Sequence, residues 1–296
     1  MKIVIAGASG LVGRALGAQL RADGDDVLRL ERGGVAARDA IAWQPPQRLL
    51  DPAALEGVDA VVNLAGENIG AGRWTAERRQ RIRSSRIHAT ATLVEAMAAM
   101  HRPPRVLVNA SAVGAYGDCG DEIVTESSPF GRGLLAEVCA EWESEAQRAA
   151  KFGTRVVCLR LGVVLAKEGG ALARLRPLFR SGLGGRLGSG RQWMSWVHLD
   201  DVVGVTQCAL RDERFGGVLN VVAPAPVTNV DFTRALARTV HRPAVLPAPA
   251  WALRLALGEM ADEALLASTR AVPTRLLELG FAFAFPELGP ALQDVV

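Results

Sequence analysis

Short, almost wholly apolar runs alternate along this chain with longer stretches in which apolar residues return every three or four positions. The runs lie near residues 2 to 6, 26 to 30, 59 to 64, 105 to 110 and 155 to 160, and amphipathic stretches near 11 to 23, 75 to 100 and 133 to 150 separate them. Runs this short read as strands buried on both faces, and the stretches between them as crossover helices. Repeated strand-helix-strand units close as a parallel sheet with helices on both sides, so the chain predicts an α/β fold with a doubly wound parallel sheet. After Leu165 the pattern loosens into Gly182-Leu183-Gly184-Gly185, Pro224-Ala225-Pro226 and Pro247-Ala248-Pro249, with shorter helical stretches between them. Residues 1–165 are therefore expected to form the sheet domain, and 166–296 a smaller mixed lobe, partly interleaved with it, that would hold a substrate.

The first thirteen residues, MKIVIAGASGLVG, sharpen this into a Rossmann-type expectation. A strand at Lys2-Ile3-Val4-Ile5-Ala6 runs into Gly7, Gly10 and Gly13, spaced where a β-carbon would block the turn, a pyrophosphate or the packing of the next helix. Phosphates would then meet backbone N–H groups of the loop and new helix, at Ser9, Gly10, Leu11 and Val12. The end of the second strand chooses between the nicotinamide cofactors: a carboxylate there binds a ribose 2′-hydroxyl, an arginine a 2′-phosphate. Here Glu31 and Arg32 stand side by side, and Arg14 opens the first helix. Glu31 can rotate outward while Arg32 presents its planar fork. These residues leave both NADP and NAD open as the cofactor. Trp43 closes the third strand, either at the adenine edge or in the core.

Composition narrows the rest. In 296 residues, 34 basic and 31 acidic side chains leave a net charge of +3, too little to imply a nucleic-acid partner. The arginines at 78, 79, 81, 83 and 86 wind round most of a helix and read as a solvated face. Cys119, Cys139, Cys158 and Cys208 form neither a CxxC pair nor a metal spacing, so free thiols in a reducing compartment and no metal site are expected. No basic, apolar leader precedes the first strand, and the apolar stretch 244–257 is broken by Pro247, Pro249 and Arg254. A cytoplasmic protein without membrane association is the expectation.

Several ordered blocks resemble the extended short-chain dehydrogenase/reductase superfamily, which includes nucleotide-sugar epimerases and dehydratases. Besides GASGLVG they are Asp59-Ala60-Val61-Val62-Asn63-Leu64-Ala65-Gly66, Val108-Asn109-Ala110-Ser111-Ala112, Arg160-Leu161-Gly162-Val163-Val164 and Trp196-Val197-His198-Leu199-Asp200-Asp201-Val202. The texture of NLAGENI, SAVGAYGD, LAEVCAEWE and GSGRQWMSWVH is most similar to an atypical branch, the epimerase family of uncertain substrate. The resemblance implies NADP as cofactor, backbone at Leu64, Ala65, Gly66 and Glu67 beside it, and Ser111 as the serine of the fifth-strand motif. A homodimer would be ordinary for the superfamily.

The resemblance also exposes a gap. Extended members carry a tyrosine and a lysine as YxxxK on one helix face, where the ammonium stabilises the phenolate. The matching positions here hold Leu135 and Cys139, neither able to exchange protons in that way. Tyr116 is the one tyrosine of the chain and lies five residues after Ser111, in the loop leaving the fifth strand, where open α/β sheets place ligands. It reads either as an acid/base or orienting hydroxyl or as a packing residue. Asp118, Asp121, Glu122 and Glu126 crowd the same loop, as a solvated acidic loop or a source of one buried base. Arg174, Arg180, Arg186 and Arg191, with Gln192 and Trp193, would suit an anionic substrate. The expected function is an NADP(H)-binding oxidoreductase or epimerase-like enzyme acting on a small, anionic or nucleotide-sugar-like substrate through Ser111 and Tyr116. The alternative is a catalytically silent, cofactor-binding redox sensor.

Overall fold

The computed structural model describes residues 1–33 and 37–296. Seven strands make the central sheet: β1 (Lys2–Ala6), β2 (Asp26–Arg32), β3 (Ala40–Trp43), β4 (Ala60–Asn63), β5 (Val106–Ala112), β6 (Arg155–Leu161) and β7 (Gly217–Val221). Their order is β7-β6-β5-β4-β1-β2-β3, and every neighbouring pair is parallel. The order reverses between β1 and β4, and open sheets of this kind bind ligands outside the C-terminal ends of the strands at that reversal.

Alternation along each strand builds two cores. Ile3 and Ile5 face one side with Leu16, Leu20 and Val205, whereas Val4 and Ala6 face the other with Leu93 and Met97. The first layer is covered by α1 (Leu11–Ala22) and the second by α2 (Ala76–Ala98) and α3 (Leu134–Gln147). At about 1.5–3 kcal/mol for each large aliphatic side chain removed from water, these layers carry the stability of the sheet.

The remaining helices are α4 (Leu172–Arg180), α5 (Leu199–Arg211), α6 (Asn229–Thr239), α7 (Ala250–Leu257), α8 (Thr274–Glu278) and α9 (Leu288–Val295). Two elements from beyond residue 166 join the sheet layers: α5 packs on α1, and β7 extends the sheet beside β6. The strand Gly217–Val221 escaped the sequence pattern because its apolar run is short and interrupted by Asn220. A separate core holds Leu165, Phe179, Trp196, Phe232, Leu236 and Leu292. Asp201 ties this core to the sheet, its carboxylate accepting the N–H groups of Ala284 at 2.7 Å and Phe285 at 3.2 Å. His198 caps α5 by accepting the Asp200 N–H at 3.2 Å. Among the described residues no helix is long and apolar enough to cross a membrane, and no cluster of three His, Cys, Asp or Glu could hold a metal.

Candidate functional site

The turn after β1 is built from contacts that only glycine allows. A β-carbon on Gly7, whose φ is +80°, would stand 2.7 Å from the Leu64 carbonyl group, and one on Gly13 would stand 2.3 Å from the Gly7 oxygen. Gly7 thus lets β1 lie against the end of β4, and Gly13 lets α1 drop onto the turn. Gly10 differs: it is exposed, and its β-carbon would approach the Gly7 oxygen at 3.2 Å. It is the N-cap of α1, with no side-chain cap and no acidic residue in the first turn. Among the described residues the N–H groups of Leu11 and Val12 make no backbone hydrogen bond, and Ser9 is exposed beside them, its carbonyl taking Arg14 at 2.8 Å. Orphan amides at a positive helix end, next to backbone without a β-carbon, fit a diphosphate. Gly169 and Gly170, just past the strand Val163–Leu165, come against Leu11 and close the far side of this turn.

At the end of β2 the two competing side chains part. Glu31 turns back onto Arg29 at 2.9 Å, and Arg29 also holds Asp39 at 2.9 and 3.0 Å. Asp39 is thereby kept below the usual carboxylate range, chiefly by its hydrogen bond from Arg29. Arg32 is exposed and makes no ion pair among the described residues. Trp43 is 4 % exposed and packs among Leu30, Leu55 and Val58, the core position and not the adenine edge.

The end of β4 is shaped by buried amides. Asn63 donates to Asn109 on β5 at 2.7 Å and to Thr90 on α2 at 2.9 Å, and accepts the Ala65 N–H at 3.2 Å. This fixes the turn Leu64-Ala65-Gly66 against Gly7. Glu67 donates its N–H to Ser85 at 3.0 Å, while its carboxylate sits 3.6–3.8 Å from Arg81 and Arg78. Trp74 is buried with Ile82 and Met260, and Thr75 caps α2.

Ser111 and Tyr116 belong to one buried network, yet neither hydroxyl is open. Ser111 lies opposite Arg160 on β6, and its hydroxyl donates at 2.6 Å to Glu143 on α3. Glu143 also receives a bidentate pair from Arg160, at 2.8 and 2.9 Å. Burial opposes the Arg160 charge, but the Glu143 carboxylate outweighs it and holds the guanidinium above its ordinary pKa. The same guanidinium lies over the rings of Tyr116 and Phe130, 4.9 and 4.7 Å from their centres. Tyr116 donates to Asn220 at 2.6 Å, and burial pushes its phenol up, away from proton exchange near neutrality. This geometry speaks for packing and orientation at Tyr116 and against an acid/base role.

Leu135, Cys139 and Glu143 form one ridge of α3. Burial raises the Cys139 thiol, so it is no nucleophile at neutral pH. Glu143 and Arg160 were missed by sequence reasoning; the spacing of four from Cys139 puts Glu143 on the same ridge, but the register of Ser111 with Arg160 appears only in the structure.

The crowded acidic loop is structural. Asp118 accepts the Ser268 N–H at 3.1 Å, Asp121 the Trp193 indole at 2.9 Å and Glu126 the Asn220 N–H at 3.1 Å. Two of the four arginines expected to gather round an anion are engaged elsewhere: Arg174 bonds the Gly70 carbonyl, whereas Arg180 reaches the Val296 carbonyl at 2.9 Å. Gln192 is spent on the carbonyls of Leu187 and Leu265, both at 3.1 Å.

A carboxylate from the C-terminal part completes the site's wall. Glu263 accepts the N–H groups of Leu134 and Leu135, both at 2.8 Å, and so caps α3, whose own N-cap Gly133 has no side chain to do so. Glu263→Ala is expected to destabilise the protein by about 1–2 kcal/mol, and Glu263→Gln by less, in urea unfolding. An unchanged midpoint in Glu263→Ala would remove the cap from the account.

Comparison with known proteins agrees with this architecture. The model of the NAD dependent epimerase/dehydratase family matches residues 3–222, and that of a domain of unknown function matches 248–295. An epimerase family protein of Mycobacterium bovis is 47 % identical over 290 residues, 98 % of this chain and 96 % of that one. The crystal structure of the human epimerase family protein SDR39U1 with NADPH superposes with a TM-score of 0.92 at 32 % identity, covering 100 % of this chain and 99 % of that one. A nucleoside-diphosphate sugar epimerase of Corynebacterium glutamicum reaches a TM-score of 0.83 at 35 % identity, with 100 % of this chain spanning 58 % of that one. With the parallel sheet, the glycine turn at its reversal and a family match over most of the length, the chain belongs to the NAD dependent epimerase/dehydratase family.

Proposed function

We propose that the protein binds NADP(H) across the crevice between β1 and β4 and works as an oxidoreductase or epimerase-like enzyme on a small anionic or nucleotide-sugar-like substrate. The observation that carries this reading is the uncapped, glycine-lined start of α1 at the sheet reversal, with Arg32 free of ion pairs among the described residues and Glu31 folded onto Arg29. Gly7, Gly10 and Gly13 shape the cradle, and the amides around Ser9, Leu11 and Val12 hold the diphosphate. Arg32 takes the 2′-phosphate that Glu31 would otherwise repel. Leu64, Ala65, Gly66 and Glu67 line the nicotinamide half. The relative solved with NADPH supports this choice of cofactor.

The bound cofactor supplies a hydride donor or acceptor. Ser111, held by Glu143, fixes the end of β5 against β6, and Tyr116 positions the following loop through Asn220. Residues 1–165, with α5 and β7, form the cofactor half, and the core around Trp196 backs the substrate lobe. We place the protein in the cytoplasm.

The redox-sensor reading keeps its standing because of one feature: Leu135 and Cys139 occupy the ridge where an acid/base pair would sit, and both nearby hydroxyls are already committed. Turnover of NADPH with a panel of carbonyl metabolites separates the two readings. NADPH consumption on any carbonyl of the panel supports the enzyme. Tight NADPH binding with no consumption on any carbonyl supports the sensor.

A further inference from the structure

Arg86 is one of two arginines of the basic run on α2, with Arg78, that turn into the protein, whereas Arg79, Arg81 and Arg83 are exposed. The Arg86 guanidinium donates to the carbonyls of Ile82 at 3.0 Å and Glu67 at 3.2 Å, which uses two of its five N–H groups. One face lies against Gly66, where a β-carbon would come within 3.2–3.4 Å of three guanidinium atoms, and the Trp142 ring centre lies 5.2 Å away. The remaining donors have no partner among the described residues, and Arg86 keeps part of its surface open. The indole N–H of Trp142, buried beside it, also lacks an acceptor.

The carboxylate whose charge favours this cation, that of Glu67, stands off from it. No carboxylate lies within 4 Å of Arg86 among the described residues; Glu67 is shared with Arg78 and Arg81, Glu141 is taken by Arg83, and Glu143 by Arg160. Burial disfavours this cation, but a guanidinium stays protonated, so the field persists at every working pH. Its place is defined by the sheet. The adenosine half of a dinucleotide lies over β2, beside Arg32, so the nicotinamide half lies over the ends of β4 and β5, where Gly66 and Arg86 stand.

A nicotinamide ring carries positive charge only when oxidised. We propose that Arg86 is a specificity-determining residue that makes this protein bind NADPH in preference to NADP+, by repelling the oxidised ring from the β4 end of the cleft. The inference rests on the NADP(H) reading above. A like charge facing the ring in partly buried surroundings corresponds to a preference of about tenfold or more.

The test is calorimetric titration of the full chain with NADPH and with NADP+. NADPH should bind about tenfold or more tightly than NADP+, with the gap narrowing as salt is raised. Arg86→Met should bring the two affinities together, chiefly by tightening NADP+, and Arg86→Lys, which keeps the charge, should preserve the preference. Equal affinities in the native protein, or a preference that survives Arg86→Met, overturn the inference alone. If neither nucleotide binds, the dinucleotide reading fails and takes this inference with it. The native ratio stands as a test by itself should Arg86→Met not fold.

Discussion

Gly10→Ala is expected to weaken NADPH binding on the order of 100-fold or more while leaving the fold in place. The backbone at Gly10, with φ −72° and ψ 173°, is one that alanine adopts freely, and the added β-carbon meets only the Gly7 oxygen at 3.2 Å. The methyl group would instead stand over the exposed amides of α1, where a phosphate needs to approach to hydrogen-bond distance. Losing two charge-assisted hydrogen bonds at about 1.5–3 kcal/mol each accounts for the size of the effect. Gly13→Ala and Gly7→Ala are different in kind. Their β-carbons would press on backbone at 2.3 and 2.7 Å, so the sheet or the helix must move, and stability falls with affinity. Calorimetry with NADPH beside thermal melting tells the cases apart; native affinity in Gly10→Ala would show that phosphates do not bind at this turn.

Glu143→Ala is expected to cost about 3–5 kcal/mol of stability, and to lower the melting temperature by roughly 10 °C. It removes both acceptors of Arg160, a residue 3 % exposed and enclosed by Tyr116 and Phe130, and leaves its charge unpaired. Removing one partner of such a pair is far worse than removing both. Glu143→Leu/Arg160→Met should therefore recover most of the loss, since two apolar groups of similar volume need no partner. Chemical denaturation of the single and double variants measures this. A single variant as stable as the native protein would mean that water reaches Arg160 and that the network is not the closed one described.

Much of the fold was legible because burial on both faces forces a sequence signature: β1, β2, β4, β5 and β6 each appear as an apolar run, and their spacing implies parallel crossovers. The glycine turn was legible for a similar reason, since Gly7 and Gly13 answer to backbone contacts that no other residue permits. The rest depends on pairings distant in sequence. Nothing local announces that Glu143 meets Arg160, or that Asn63 meets Asn109 across two strands. Arg86 was read as one more solvated arginine because periodicity over five arginines in nine positions cannot show which of them turn inward. Ser111 and Tyr116 stand where the sequence put them, at the C-terminal end of β5, but direction of the hydroxyls is set by Glu143 and Asn220, both contributed by other elements.

The grip of Glu263 on the first two amides of α3 has a mechanical corollary. The segment around it cannot swing away without stripping both donors at once, so that part of the chain and α3 travel as a single jaw. The loop from Gly66 to Trp74 is fastened to the same body, with Trp74 buried against Met260 and Arg73 bonding the Leu255 carbonyl at 3.1 Å, so the three pieces move together.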